Sequence, residues 1–381
     1  MSTRMSTNRQ ADLVIIGGGV IGLSIARALA LRGAHDILVI EKNQFGQEAS
    51  WAAGGILAPQ VEADCADDFF RLACASRDLY RSFAADLRAE TGVDIKLDTS
   101  GTLCIGFDDI EERELRARLD WQRSQGLQAV WLTGEQARLL EPKLSPKVAC
   151  ALLLPNDFQV DNRCLVNALL AANLKLGVRL ITGCEALSLI VEENKICGVE
   201  TSLAQFSTEK VVLAAGAWSS QISSPVALPQ IKVEPIRGQM LCFQAQPQIV
   251  QHVIYSSRGY LVPRGDGRLL AGSTSERVGF EKTVTEQGIA AIRSIAIEIA
   301  PVVGELPLLD AWAGLRPRAG DDLPVIGTTE RVKGLFYATG HFRNGILLAP
   351  ITGELIAEVI VADVQSTLMK PFSPDRFLRS Q

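Results

Sequence analysis

Apolar and polar positions along the first forty residues follow the order strand, turn, helix, strand. Residues 11–19 (ADLVIIGGG) begin as a short apolar run that enters three glycines. Residues 20–33 (VIGLSIARALALRG) repeat apolar positions at helical spacing, and residues 36–42 (DILVIEK) form a second apolar run. This order predicts a β-α-β unit at the start of the chain. A membrane span over residues 13–31 is not expected, because four glycines interrupt it and Arg27 charges its second half.

The rest of the chain continues as an alternation of helices, strands and glycine turns. Residues 43–60 are too rich in Ala and Gly for a third strand and predict a loop, whereas Gly-Asp-Gly at 265–267 predicts a hairpin turn. Helices are predicted near 65–91, 111–125, 164–176, 286–300 and 346–360, and strands near 93–107, 178–182, 186–192, 209–215, 232–244, 259–274, 310–319 and 334–339.

The nucleotide-binding pattern opens the chain and resumes near residues 210 and 335, which predicts two lobes that are each discontinuous in sequence. The expected fold class is α/β with an α+β second lobe: a Rossmann-type domain with a doubly wound sheet, and a substrate domain built on an antiparallel sheet. The nucleotide-binding domain is assigned to 11–95, 148–224 and 320–366, and the substrate-binding domain to 96–147 and 225–319.

Composition narrows the class of protein. The 381 residues, 47% of them hydrophobic and 21% charged, suit a globular chain with two lobes, and the net charge of −5 includes no Lys/Arg block that would predict nucleic-acid binding. Residues 1–10 lack the apolar core of a secretory signal. Eight cysteines show neither a C-x-x-C pair nor metal-ligand spacing, so we expect reduced thiols, no metal site and a cytoplasmic location.

A dinucleotide site is predicted by G-x-G-x-x-G at Gly17, Gly19 and Gly22, between the first strand and the first helix. The first glycine permits the tight turn, the second lets the backbone approach a pyrophosphate, and the third lets the helix pack on the strand. Glu41 follows 19 residues after Gly22, where its carboxylate can hold the ribose hydroxyls and repel a 2′-phosphate. The motif disfavours NADP and leaves FAD and NAD open.

Six segments resemble the D-amino acid oxidase and glycine oxidase family of flavoproteins, along nearly the whole chain. They are DLVIIGGGVIGLSIARALALRG with Glu41, EASWAAGGILAP, VVLAAGAWS, GYLVPR, WAGLRP and GHFRNGILLAP. Their order and the last three segments are most similar to the glycine oxidases of bacterial thiamine biosynthesis. The resemblance implies that the nucleotide is FAD. No cysteine lies where a flavin tether is expected, so we expect FAD to be bound non-covalently.

The cofactor contacts follow from the motif and from this resemblance. Gly340 and Gly345 would let the backbone approach a planar ring, and the helix after them would point its N-terminal amides at the flavin pyrimidine carbonyl. The predicted cofactor-binding residues are Gly17, Gly19, Val20, Ile21, Gly22, Glu41, Lys42, Ser50, Ala52, Ala53, Gly54, Gly55, Ala215, Gly216, Gly340, His341, Arg343, Asn344, Gly345, Ile346 and Leu347.

Arginine and tyrosine are the expected substrate-binding residue types, because a planar guanidinium matches both oxygens of a carboxylate. The resemblance implies that Arg316 in WAGLRP anchors the substrate carboxylate, with Tyr260 as hydroxyl donor to the same group and Arg343 as a second arginine of the catalytic site. Of the three histidines, only His341 is expected near the chemistry, and a structural role is favoured for it.

The remaining pocket is expected to include Ile56, Arg258 and Ser275. In the family, an imidazole can stand two positions before the tyrosine, where this chain has Arg258. Ser275 stands where a bulky apolar residue can line the pocket, and Ile56 takes the place of a longer flexible side chain. These departures leave the ranking among glycine, sarcosine and small D-amino acids open, since a methyl group changes selectivity by roughly 1–3 kcal/mol.

The resemblance implies oxidative deamination of glycine, and also of sarcosine and small D-amino acids, by hydride transfer to flavin. Dioxygen would be the second substrate, the products would be glyoxylate, ammonia and hydrogen peroxide, and the imine would feed thiazole synthesis. A homo-oligomer is expected. The alternatives are a flavin dehydrogenase for D-amino acids or N-methyl amines that passes electrons to a quinone, a flavin-binding scaffold without turnover, and an NAD-dependent dehydrogenase.

Overall fold

The computed structural model describes residues 9–378, so most of the polar segment 1–10 lies outside the described part. The helices of this part are α1 Val20–Leu31, α2 Ala49–Ala52, α3 Pro59–Glu62, α4 Asp68–Thr91, α5 Asp109–Ser124, α6 Gly134–Leu140, α7 Asn162–Lys175, α8 Glu286–Ile299 and α9 Gly345–Ala362. The strands are β1 Leu13–Ile16, β2 Ile37–Ile40, β3 Ile56–Leu57, β4 Thr102–Gly106, β5 Val130–Thr133, β6 Cys150–Leu154, β7 Phe158–Gln159, β8 Arg179–Ile181, β9 Ala186–Glu192, β10 Lys195–Thr201, β11 Gln205–Ser207, β12 Val211–Leu213, β13 Val233–Gln244, β14 Val253–Tyr255, β15 Tyr260–Pro263, β16 Arg268–Gly272, β17 Leu308–Ala319, β18 Val325–Thr328 and β19 Leu335–Thr339.

A six-stranded sheet in the order β18-β19-β12-β1-β2-β8 forms one lobe. Its strands are parallel except for β18, which runs antiparallel to β19. Both β1 and β2 are buried along their whole length, because helices α1, α4, α7 and α9 cover one face and the small sheet β9–β11 packs towards the other. The predicted β-α-β unit and Rossmann-type sheet are confirmed, but a small sheet covers the second face in place of the helices that a doubly wound sheet predicts.

An eight-stranded sheet in the order β17-β13-β16-β15-β14-β4-β6-β5 forms the second lobe. Alternate side chains of β13 separate onto two faces: Leu241 and Phe243 pack beneath α8, whereas Met240 and Cys242 face the first lobe. The Gly-Asp-Gly turn joins β15 to β16 as predicted. The sheet is antiparallel except at β14 and β4, which pair in parallel.

Three local predictions need correction. Residues 43–60 are not one loop, since α2, β3 and the start of α3 lie there, and β3 pairs with β7, about a hundred residues away in sequence. The strand predicted near 93–107 is limited to β4. The boundary predicted at residue 148 separates β6 from β4 and β5, its partners in the eight-stranded sheet. The first and third errors arise because the pairing partner lies far away along the chain.

Helix α9 is, within residues 9–378, the one helix long and apolar enough to meet the criterion for a membrane span. Two thirds of it (67%) is buried, and it packs against α1 and α4 in the core of the first lobe. A buried core helix passes the same test of length and composition, so the match is weak evidence for a membrane segment.

Candidate active site

A cavity extends from the carboxyl ends of β1, β2, β12 and β19 to the inner face of the eight-stranded sheet. The ends of parallel strands at a crossover are where α/β sheets bind their ligands. The cavity therefore joins the predicted nucleotide site in one lobe to the predicted substrate site in the other.

The glycine turn has the geometry that the motif predicts. Gly17 has a φ of +112°, and a Cβ added there would lie 2.3 Å from the carbonyl oxygen of Ala214. A Cβ at Gly22 would lie 2.0 Å from the carbonyl oxygen of Gly17, so this glycine permits the close packing of α1 on the turn. Ser50 belongs to α2, and its side chain lies beside the start of α1. Its hydroxyl accepts a hydrogen bond from the N–H of Val20 at 2.9 Å.

Glu41 is 9% exposed and lies beside the same turn. Its carboxylate accepts the N–H groups of Gly18 and Asn43, both at 2.9 Å, one on each oxygen. Since each oxygen has a second acceptor position, the carboxylate remains able to bind a ribose hydroxyl. The neighbouring Lys42 ammonium lies 3.7 Å from the ring centre of Trp218, and its pKa is lowered by burial.

The N-terminus of α9 faces the opposite end of the cavity. Asn344 provides no side-chain cap there, which leaves first-turn N–H groups available to an electron-rich ligand. Helix α4 fixes this turn, because Tyr80 donates to the carbonyl of Ile346 and Ser76 donates to that of Leu347 at 2.6 Å. The glycine turn, Glu41 and the uncapped helix end together form a cradle that fits the two ends of FAD.

His341 lies in the cavity wall and is buried. Its Nε2 lies 3.1 Å from the hydroxyl of Thr352, and burial lowers its pKa to about 3. The imidazole is therefore neutral at ordinary pH and tied to α9, as the favoured structural role requires.

The small-residue loop at Ala52–Gly55 is held against the cavity by buried side chains. Arg264 donates to the carbonyls of Gly54 and Val160 at 2.9 and 2.8 Å, and burial lowers its pKa to about 10. The indole of Trp312 donates to the carbonyl of Ala52 at 3.0 Å. The backbone of this loop is therefore fixed in the cavity wall.

Arg316 reaches the cavity from β17. It donates to the Ser273 hydroxyl at 2.7 Å and to the Thr274 carbonyl at 3.1 Å, and its guanidinium lies directly over Gly238. No carboxylate among residues 9–378 forms an ion pair with it. Neutral partners thus fix the direction of the guanidinium, and its charge remains available for an anionic ligand.

Two tyrosines and a second arginine complete this end of the cavity. The hydroxyl of Tyr260 lies 3.3 Å from the sulfur of Met240. Arg343 donates to the hydroxyl of Tyr255 and, at 2.9 Å, to the carboxylate of Glu62. The nearby Glu62 carboxylate raises the pKa of Arg343, and burial raises that of Tyr255.

The structure brings Ile56, Tyr260, Arg316 and Arg343 into one cavity lining, together with most of the predicted cofactor residues. Those outside the lining are Gly22, Gly340 and Leu347, which lie in the packed layer behind it.

The pocket predictions for Arg258 and Ser275 are wrong. The Arg258 guanidinium turns away from the cavity and pairs with Glu298 on α8, because its turn between β14 and β15 projects towards that helix. Ser275 is exposed. It lies beyond the end of β16, whereas Ser273, two residues earlier, lines the cavity.

Sequence reasoning missed Glu62, Met240, Tyr255 and Ser273, which all line the cavity. One of them has a signal in the sequence: Tyr255 and Tyr260 flank the four-residue turn SSRG, and antiparallel pairing across a turn places such residues side by side. For Glu62, Met240 and Ser273, the cavity-facing orientation depends on contacts distant in sequence, and no local pattern marks it.

Comparison with known proteins places this geometry in a family. Residues 12–359 match the family model described as "DAO: FAD dependent oxidoreductase". A glycine oxidase of Geobacillus kaustophilus is 33% identical over 369 residues, covering 96% of this chain and 97% of the relative. The Bifunctional protein ThiO/ThiG of Synechocystis sp. is 35% identical over 373 residues, and the match covers 97% of this chain and about half (54%) of that longer protein.

Solved structures give the same result. The crystal structure of glycine oxidase from Geobacillus kaustophilus superposes with a TM-score of 0.91 at 32% identity, over 96% of this chain and 99% of the other. Glycine oxidase from Bacillus cereus gives a TM-score of 0.88 at 34% identity, over 94% and 97% of the two chains.

Proposed function

Because this chain belongs to the DAO family of FAD-dependent oxidoreductases, we propose that it oxidises glycine, and with it sarcosine and small D-amino acids. The observation that carries the proposal is the position of Arg316: within residues 9–378 its guanidinium has no carboxylate partner, and it lies at the end of the cavity that continues into the nucleotide cradle. Glycine oxidases of similar length among the relatives support the same substrate class.

Arg316 and Tyr260 are the residues proposed to hold the substrate. The guanidinium would bind the carboxylate, and the Tyr260 hydroxyl would donate to the same group, so that the amine-bearing carbon is held in one orientation. Ile56 and Met240 line the same cavity and limit its width. When bound, FAD supplies the two-electron acceptor for the hydride that leaves this carbon.

Little acid–base chemistry falls to the protein. His341 is neutral and held by Thr352, and the Glu62 carboxylate is engaged by Arg343. The substrate amine is therefore proposed to lose its proton to solvent before oxidation. Water then hydrolyses the imine to glyoxylate and ammonia, and dioxygen takes up the two electrons and two protons to give hydrogen peroxide.

Further parts of the proposal rest on the relatives and on the cysteines. The Bifunctional protein ThiO/ThiG supports a role in supplying imine for thiazole synthesis. All eight cysteines are free of disulfides, which supports a cytoplasmic location. We also propose that the chain divides into the FAD-binding and substrate-binding domains given above, with β6 moved to the substrate-binding domain. A homo-oligomeric assembly is proposed as well.

The decisive experiment is oxidation of glycine by the purified holoenzyme. Anaerobic glycine should bleach its flavin absorbance, and under air the enzyme should form glyoxylate and hydrogen peroxide in equal amounts, with L-alanine as a substrate control. Bleaching without peroxide would indicate a dehydrogenase that uses another acceptor such as a quinone. A preparation with FAD that glycine and D-alanine leave unbleached would contradict the proposal.

A further inference from the structure

Helix α3, a four-residue helix beside the cavity, is held by long-range side-chain contacts at both ends. The buried carboxylate of Asp157 accepts the N–H groups of Gln60 and Val61 at 3.3 and 3.1 Å. At the other end, Arg118 donates to the carbonyls of Gln60, Val61 and Ala63 at 2.8, 2.8 and 2.7 Å. Both sets of orphan backbone groups of this short helix therefore have side-chain partners.

A buried pair of glutamines adds a third support. The amide of Gln60 donates to the side-chain oxygen of Gln122 at 2.9 Å, and the amide of Gln122 donates to the Gln60 carbonyl at 2.7 Å. A single helical turn is not stable alone in water. The position of its last residue, Glu62, is thus set by tertiary contacts from α5 and from Asp157.

Glu62 is directed at one of the two arginines of the cavity. Its carboxylate accepts from Arg343 at 2.9 Å, and the Glu62 side chain is only 18% exposed. Arg316 forms no ion pair among residues 9–378. With two guanidinium groups and one carboxylate, the substrate end of the cavity carries one net positive charge, which matches a substrate with a single acid group.

We infer that Glu62 is a specificity-determining residue, which restricts the cavity to substrates with one carboxylate. A second acid group on the substrate would approach Arg343 and meet the Glu62 carboxylate already bound there. Competition for the guanidinium and repulsion between like charges both oppose such a substrate. This inference rests on the proposed function, since it takes the ligand to be an amino acid held by Arg316.

The test is Glu62→Gln in the holoenzyme, with substrates that differ by one carboxylate. Sarcosine and iminodiacetate form one such pair, and D-alanine and D-aspartate form another. The ratio of kcat/KM for the diacid to that for the monoacid should rise at least tenfold in Glu62→Gln, since the neutral amide leaves the charge of Arg343 unbalanced. Glu62→Asp retains the charge and should keep the wild-type ratio.

Glu112→Gln is the matched control, because Glu112 pairs with Arg116 at the surface, and the ratio should not change there. An equal change in kcat/KM for monoacid and diacid in Glu62→Gln would overturn the inference. A loss of glycine turnover without any rise in kcat/KM for the diacids would also overturn it. Should Glu62→Gln fail to fold, Glu62→Ala gives the same comparison.

A binding measurement separates this inference from the proposed function. Malonate and acetate differ by one carboxylate and require no turnover, so their effects on the Tm of the holoenzyme report anion binding alone. Malonate should raise the Tm of Glu62→Gln more than acetate does. This difference between the two anions should be larger in Glu62→Gln than in wild type. If wild type oxidises no amino acid but the malonate effect appears, the proposed function fails and the charge selection stands. If glycine is oxidised but malonate raises the Tm of Glu62→Gln no more than that of wild type, the inference fails and the proposed function stands.

Discussion

The phenol rings of Tyr255 and Tyr260 stack, with their centroids 5.8 Å apart and their planes inclined by 18°. The two residues are opposite each other across the β14–β15 hairpin. The Tyr255 hydroxyl accepts a hydrogen bond from Arg343, whereas the Tyr260 hydroxyl lies near Met240 on strand β13, which pairs with β17. The stacked pair therefore links the arginine that precedes α9 to the sheet that carries Arg316.

Arg316→Ala should raise the KM for glycine and lower kcat/KM roughly 100-fold, because charge-assisted hydrogen bonds to the substrate carboxylate contribute about 1.5–3 kcal/mol. FAD content and Tm should stay near wild type, since the hydrogen-bond partners of this guanidinium are a serine hydroxyl and a backbone carbonyl. Steady-state kinetics measure KM and kcat/KM, and the visible spectrum measures the FAD content. Arg318→Ala, which removes a surface arginine paired with Asp322, is the control. Unchanged saturation by glycine would show that the anchor lies elsewhere.

Gly17→Ala should abolish FAD binding and lower the Tm. The added methyl group would lie 2.3 Å from the Ala214 carbonyl oxygen, at a φ of +112° that side chains rarely adopt. Gly33→Ala separates the two causes, because Gly33 also has a positive φ (+80°) but nothing lies within 4 Å of its Cβ position. That control should lose about 1–2 kcal/mol from backbone strain and still bind FAD. Equal FAD content in the two variants would contradict the close-approach argument.

His341 should make the folded protein less stable in mild acid. Its pKa is about 3 in the folded protein and 6.5 by reference, so the unfolded chain binds the proton first as the pH falls below 6.5. This contribution to the free energy of unfolding is constant above that pH and falls by up to about 1.4 kcal/mol per pH unit below it. Urea unfolding at pH 8, 7, 6 and 5 should show that the free energy of unfolding falls less steeply with decreasing pH in His341→Gln than in wild type. Parallel curves for the two proteins below pH 6 would refute the assignment.

The sequence alone determined the β-α-β start of the chain, the glycine turn and its carboxylate. These features depend on residues close in sequence: apolar periodicity reports helices and strands, and a tight turn beside a helix requires glycine whatever surrounds it. The Rossmann-type and antiparallel sheets were predictable for the same reason. The segments WAGLRP and GYLVPR also indicated Arg316 and Tyr260, through their resemblance to the D-amino acid oxidase and glycine oxidase family.

Only the tertiary structure decided which side chains share the cavity. Arg258 follows Tyr255 closely in sequence but turns to α8, because Glu298 offers it a partner there. Glu62 reaches Arg343 because Asp157 and α5 hold a helix too short to hold itself. Backbone preferences are local and visible in a sequence, whereas the direction of a side chain depends on partners that the fold brings from far along the chain.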